Sequence, residues 1–99
     1  MTNNVVLNGK INWNPEQHKG DKYTITAFPL NFYSGKDKNG KGKYGTIQCK
    51  TFDEAMGEKV MTLGKDAKVI VVGKLMGNEY QNKEGKTVKT LELIVDYVG

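Results

Sequence analysis

Apolar and polar residues alternate along most of this chain, with one segment where the period lengthens. In Val5–Ile11, V-V-L-N-G-K-I, one face carries Val5, Leu7 and Ile11 and the other Val6, Asn8 and Lys10, which predicts a half-buried strand. Asn12–Gly20 is polar and holds Asn14-Pro15 and Gly20, so it reads as a turn region. Tyr23–Phe28, Y-T-I-T-A-F, predicts a second strand from its Thr, Ile and aromatic content. Pro29 follows and cannot donate to a ladder, so it marks an edge or a bulge. A bulge there would reverse the facing of Leu30–Tyr33, which leaves open whether Phe32 or Tyr33 points outward.

Tyr44–Phe52 predicts a third strand, with Ile47 and Cys49 inward and Tyr44, Thr46, Gln48, Lys50 and Phe52 on the other face. Over Thr51–Gly64 the period becomes helical. Thr51 with Glu54 forms a capping box, Asp53 is an alternative cap, Met56, Val60 and Leu63 recur at helical spacing, and Gly64 is a natural stop. Met56 and Met61 read as packing residues. Ala67–Leu75 predicts a fourth strand, Gln81–Lys86 a hairpin tip, and Val88–Val98 a fifth strand with Leu91, Leu93, Val95 and Tyr97 alternating. Three strands, a helix and two strands is the order of the OB-fold, an all-β, five-stranded Greek-key barrel with one short helix between strands three and four. Gly9 and Gly73, in the similar contexts N-G-K-I and V-G-K-L, sit inside strands where a small barrel must bend.

The 99 residues make one domain, 1–99, with one modest core. The net charge is +4, and all 15 basic residues are lysine. Arginine is the usual reader of guanine edges in duplex DNA, so its absence argues against base-specific duplex recognition. Phosphate contact without sequence preference is compatible with lysine alone. The single Cys49 forms no intrachain disulfide and reads as a small core residue, which fits a reducing compartment. No signal peptide is visible, and the longest apolar run, Val69–Val72, is far too short to span a bilayer, so a soluble chain is expected.

The chemistry concentrates in Ser34–Lys43, S-G-K-D-K-N-G-K-G-K, which carries four lysines and three glycines against one aspartate. Phe32 and Tyr33 precede it and Tyr44 follows. A mobile basic loop between aromatic-bearing strands suits a nucleic-acid strand, with lysines on phosphates and aromatic faces on bases. Gly35–Lys41 nearly matches a phosphate-binding P-loop, but the next residue is Gly42 instead of Ser or Thr, and the stretch joins two strands. One histidine, His18, and one cysteine make no standard zinc site, and no catalytic arrangement stands out, so neither enzyme, metal nor cofactor is expected. Asp53-Glu54 fits helix-start electrostatics. Trp13, the only tryptophan, either folds back on the barrel end or contacts a ligand.

Taken in order, these segments resemble the bacterial-type single-stranded DNA-binding protein family. Asn3–Glu16, N-N-V-V-L-N-G-K-I-N-W-N-P-E, is similar to that family's N-x-V-x-L-x-G-R-L-x-x-D-P-E opening. Tyr23–Ala27, Ile47–Cys49 with Phe52, Ala67–Leu75 and Glu79–Lys86 resemble its later strands and its aromatic-bearing hairpin. The resemblance implies sequence-independent binding and protection of single-stranded DNA in replication, recombination or repair. It implies base stacking on Phe32 or Tyr33, Tyr44, Phe52 and Tyr80, with Trp13 a further candidate. One of the family's stacking positions falls on Thr46, where Tyr44, two residues earlier on the same face, would substitute. Phosphate contacts are expected from Lys10, Lys36, Lys38, Lys41, Lys43, Lys50, Lys83 and Lys86. It further implies a homo-oligomer, tetramer or dimer, partner replication proteins, and a cytoplasmic, nucleoid-associated or phage-host setting. The family's disordered linker and acidic tip do not follow Gly99, as in a truncated chain or a short phage, plasmid or primosomal form. Two other readings stay open: an OB-fold adaptor whose aromatic face binds a protein, and a single-stranded RNA binder, since nothing in the residues reads a 2′-hydroxyl.

Overall fold

In the computed structural model, which describes residues 2–99, strand pairing closes a barrel. The elements are β1 (Val5–Ile11), β2 (Glu16–Lys19), β3 (Thr24–Lys36), β4 (Gly42–Thr51), α1 (Glu54–Leu63), β5 (Lys68–Gln81) and β6 (Thr87–Val98). The sheet order is β1-β5-β6-β4-β3-β2, and β1 pairs with β3 as well, so five strands form a closed ring with β2 outside it. All pairings are antiparallel except β4 with β6. This is the expected five-stranded barrel with its helix between the third and fourth barrel strands.

β1 makes the closure. Gly9 and Lys10 pair with Phe32 and Asn31 of β3 on one side, and with Val69 and Lys68 of β5 on the other. A side chain at Gly9 would fall on the backbone oxygen of Asn31, and one at Gly73 on that of Ile94. Both glycines therefore mark close backbone approaches, as their sequence contexts suggest.

The interior is filled by Ile11, Phe28, Leu30, Cys49, Val60, Val69, Val71, Leu93, Val95 and Val98. Burial pushes the Cys49 thiol up from its ordinary value to about 12, so it is an inert core group at neutral pH. The helix packs across one end of the barrel against β2, β3, β4 and β6. Asp53 is its N-cap, accepting from the Met56 amide at 2.8 Å. Thr51 is buried and accepts from the Asp53 amide, so it braces the cap without being it. Val60 is buried and Met56 packs against the core, whereas Met61 and Leu63 remain exposed. Gly64 ends the helix in a left-handed conformation, donating to the Val60 carbonyl.

Several expectations need correction. The turn region 12–20 contains a strand, β2, which pairs with the start of β3. β3 does not stop at Pro29 but runs through it to Lys36. The Pro29 carbonyl accepts from the Asn12 amide, so its missing donor faces the junction where β3 changes partner from β2 to β1. No ladder bond is lost there, and the facing is not reversed. Ser34–Lys43 is likewise mostly strand and not loop: both strands extend into it and only 37–41 is a tip. β5 is also longer than expected, so β5 and β6 project as a paired arm up to Gln81 and Thr87. In β6 the alternation breaks at a bulge. Val72 pairs with Tyr97 and Gly73 with Val95, leaving Asp96 extra, so Tyr97 turns outward and Val98 is buried.

A side chain at Gly57 would fall on the Thr26 hydroxyl, which is buried and already accepts from Gln17 Nε2. Gly57→Ala should gain about 1 kcal/mol of helix propensity and lose more to overpacking, typically about 1–3 kcal/mol. The expected result is a lower thermal midpoint, recovered by adding Thr26→Ala; differential scanning calorimetry of both variants checks it.

Candidate nucleic-acid interface

The facing of β3 and β4 decides which aromatic rings are presented. Thr26, Phe28 and Leu30 are buried along β3, and Phe32 continues that inward series half-buried against Gly45. Phe32 is therefore withdrawn from the outer face, a correction to its candidacy as a stacking residue, and Tyr33 is the ring that points out. Tyr33 pairs directly with Tyr44 of β4, the rings meeting edge to face at 5.7 Å between centroids. Beyond them Ser34 is a bulge, made possible by Gly35 at φ 118°.

At the far end of the same two strands Phe52 meets Tyr23, again edge to face at 5.7 Å. Tyr44 and Phe52 are eight residues apart on one face of one extended segment, a contour of about 26 Å. Thr46, Gln48 and Lys50 lie between them on that face. These four rings are between 47% and 66% exposed, so edge-to-face pairing leaves ring faces accessible. Tyr23 was not among the expected residues. The signal for it is parity: it is ten residues before Tyr33 in a segment whose alternation runs unbroken through Pro29.

A groove of about 930 Å³ crosses the outside of β1 beside the Tyr33–Tyr44 pair. Asn8, Lys10, Asn12, Asn31, Lys68 and Ile70 line it with the two tyrosines. Lys10 forms an exposed ion pair with Asp66 at 3.7 Å, weak in water and easily exchanged for a phosphate. Lys50 is differently placed: its ammonium lies 2.7 Å from Glu92 on the neighbouring β6, and both side chains are largely covered. Of the lysines expected on phosphates, it is the one held within the fold.

The two hairpin tips repeat one design. In D-K-N-G-K (37–41) the Asp37 carboxylate accepts from the amides of Asn39 and Lys41, and in N-K-E-G-K (82–86) the Asn82 carboxamide accepts from Glu84 and Lys86. Gly40 and Gly85 take the left-handed conformation, at φ 82° and 78°. Each tip presents lysines at its second and fifth positions, Lys38 and Lys41 on one, Lys83 and Lys86 on the other. Lys36 and Lys43 flank the first tip on the strands. Two amides that a P-loop would turn to a phosphate are here bonded to Asp37, which removes that reading of Gly35–Lys41.

Tyr80 sits on the projecting arm opposite Val88, exposed and on the same side of β5 as Met76 and Asn78. Trp13 is exposed at the end of β1, with the Lys65 ammonium 4.6 Å from its ring centre. It contacts α1's trailing loop and keeps a ring open to solvent. His18 lies 3.7 Å from Glu16 on β2, and among the described residues no group of three metal-ligating side chains occurs. Among the described residues no helix is long and apolar enough to cross a membrane.

Comparison with known proteins agrees with this architecture. The barrel superposes on a Plasmodium falciparum SSB in complex with ssDNA with a TM-score of 0.81, at 20% identity, covering 98% of this chain and 89% of that one. A small single-stranded DNA-binding protein from Streptomyces coelicolor gives 0.78 at 14% identity, covering 100% and 94%. In sequence, a single-stranded DNA-binding protein from Paenarthrobacter aurescens is 26% identical over 96 residues, covering 97% of this chain and 56% of that protein. Single-stranded DNA-binding protein 1 from Lactococcus lactis is 26% identical over 98 residues, covering 97% and 65%. This chain thus spans less than two thirds of the curated relatives it matches. The family model of single-strand binding proteins matches residues 2–99. The chain belongs to the single-strand binding protein family.

Proposed function

We propose that this chain binds and protects single-stranded DNA without sequence preference. The observation that carries the reading is the β3–β4 outer face, where two edge-to-face aromatic pairs bracket a polar strip and both lysine-bearing tips project from the Tyr33–Tyr44 end. Tyr33, Tyr44, Phe52, Tyr23 and Tyr80 stack on bases, a contact every base can make because every base has a π-face. Lys10, Lys36, Lys38, Lys41, Lys43, Lys83 and Lys86 neutralise phosphates and release counterions. Binding of this kind requires no catalysis. The setting is replication, recombination or repair in the cytoplasm or nucleoid.

The same reading extends to assembly as a homo-oligomer. Val6, Val72 and Tyr97 are outward cross-strand neighbours on β1, β5 and β6, an apolar row that supports contact with a second copy. Light scattering should give a dimer or tetramer mass, against 11.0 kDa for one chain, and a mass of one chain at micromolar concentration would refute it.

Fluorescence anisotropy with labelled oligo(dT), duplex DNA and oligo(U) tests the binding. Tight oligo(dT) and weak duplex binding are expected, and equal affinity for duplex would overturn the stacking mechanism. Preference for oligo(U) would redirect the proposal to RNA. Tyr44→Ala or Phe52→Ala should weaken oligo(dT) binding about 5- to 150-fold, the equivalent of one stacked base. Replacing Lys38, Lys41, Lys83 and Lys86 by alanine should flatten the salt dependence, by about 0.7 in slope for each phosphate no longer neutralised.

A further inference from the structure

Beyond stacking, the groove over β1 holds a feature that the aromatic faces do not use. Its walls carry three asparagines, Asn8, Asn12 and Asn31. Strand alternation turns Asn8 and Asn31 outward, and the register sets them in two adjacent rows. Lys10, Asn31 and Thr46 are cross-strand partners in one row. One position beyond Gly9 and Phe32, Asn8 and Tyr33 leave the paired register on the same outer face, with Tyr44 opposite Tyr33. Successive outward residues are about 7 Å apart along a strand, which places the Asn31 amide one step from the Tyr33 ring. Asn3, Asn78 and Asn82 use their side chains within the fold. Among the described residues, Asn8, Asn12 and Asn31 enter no side-chain hydrogen bond.

A carboxamide offers one acceptor and one donor side by side in a plane. The Watson–Crick edge of every base offers the complementary adjacent pair: N1 and N6–H in adenine, N3 and N4–H in cytosine, O6 and N1–H in guanine, O4 and N3–H in thymine. By turning over about its last torsion, an asparagine amide can match any of them. Such contacts do not choose among bases. They require an edge that is not already paired.

We propose that the β1 groove is a base-edge subsite, in which a base stacked on the Tyr33–Tyr44 pair presents its Watson–Crick edge to the amides of Asn8 and Asn31, with Asn12, two outward positions beyond Asn8 at the end of β1, meeting the edge of the neighbouring base. The subsite rests on the single-strand reading above and adds to it a second source of discrimination against duplex. Lys10 and Lys68, paired across β1 and β5 at the groove's rim, hold the adjoining phosphates.

The test compares labelled oligo(dT) with the same oligomer built from N3-methylthymine, which keeps the ring and its stacking face but blocks the N3–H donor. The wild-type protein should bind the methylated oligomer about 3- to 30-fold more weakly, the range expected for loss of one or two hydrogen bonds. In the Asn8→Ala/Asn12→Ala/Asn31→Ala variant that ratio should fall to near one, with an unchanged melting temperature showing that the barrel is intact. The near-isosteric Asn31→Asp keeps an oxygen that accepts from N3–H and loses only the donor to O4, so it should weaken binding of both oligomers while the ratio stays above one. Equal wild-type binding of both oligomers overturns the subsite and leaves single-strand binding standing. A ratio that persists in the triple variant also overturns it, because the edge is then read elsewhere. Failure to bind either oligomer at low salt overturns the single-strand reading and the subsite together.

Discussion

Double pairing of β1 is the constraint on which the rest of this molecule depends. Over Gly9 and Lys10 the strand bonds to β3 and β5 at once, and the ring closes only because position 9 has no side chain to meet the Asn31 carbonyl. Closure leaves the five strands without a free edge where they pair within the ring. It also locks register. In a closed barrel a one-residue slip would turn every inward side chain outward, so burying Ile11, Leu30 and Val69 simultaneously commits Lys10, Asn31 and Lys68 to the outside. The candidate interface is the complement of the core.

Two bulges adjust that complement locally. Ser34 ends strict pairing beyond the Tyr33–Tyr44 pair and sends the β3–β4 hairpin on toward a lysine-bearing tip. Asp96 reverses the facing at the end of β6, so that Val98 joins the core while Tyr97 joins the outer surface. Val98 is further tied down by its amide to Met56 Sδ and by its carbonyl to the Lys59 ammonium, which anchors the last strand to the helix. Neither bulge adds much energy. Each decides which side of the sheet a functional or core residue occupies.

The two hairpin tips are held by short-range bonding. Asp37 and Asn82 each satisfy two backbone amides that a five-residue turn leaves unpaired. The lysines of both tips are therefore carried on turns whose backbone amides are already satisfied. One edge-to-face aromatic pair stands beside the first tip and the other at the far end of the same strands, each pair leaving ring faces exposed. Lysine-bearing turns and paired aromatic rings thus occupy different parts of the molecule.

Much of this was legible in the residues. Periodicity of two and 3.6 marked the five barrel strands and the helix, because alternation and helical spacing are local consequences of which side is buried. Glycines inside strands marked the bends, and the Phe52, Tyr80 and lysine-bearing segments stood out by composition. What remained open depended on partners distant in the chain. Whether Pro29 breaks β3 turns on which neighbour its missing donor faces, and that is set by the hand-over from β2 to β1. The choice of Tyr33 over Phe32, the pairing of Tyr23 with Phe52, and the bulge at Asp96 all follow from register, which no single strand specifies by itself. The sequence determined the five barrel strands and the helix, though not β2, and which residue types could meet a nucleic acid. Only the closed barrel decided which of them share a face, because facing in a sheet is fixed by the strands on either side.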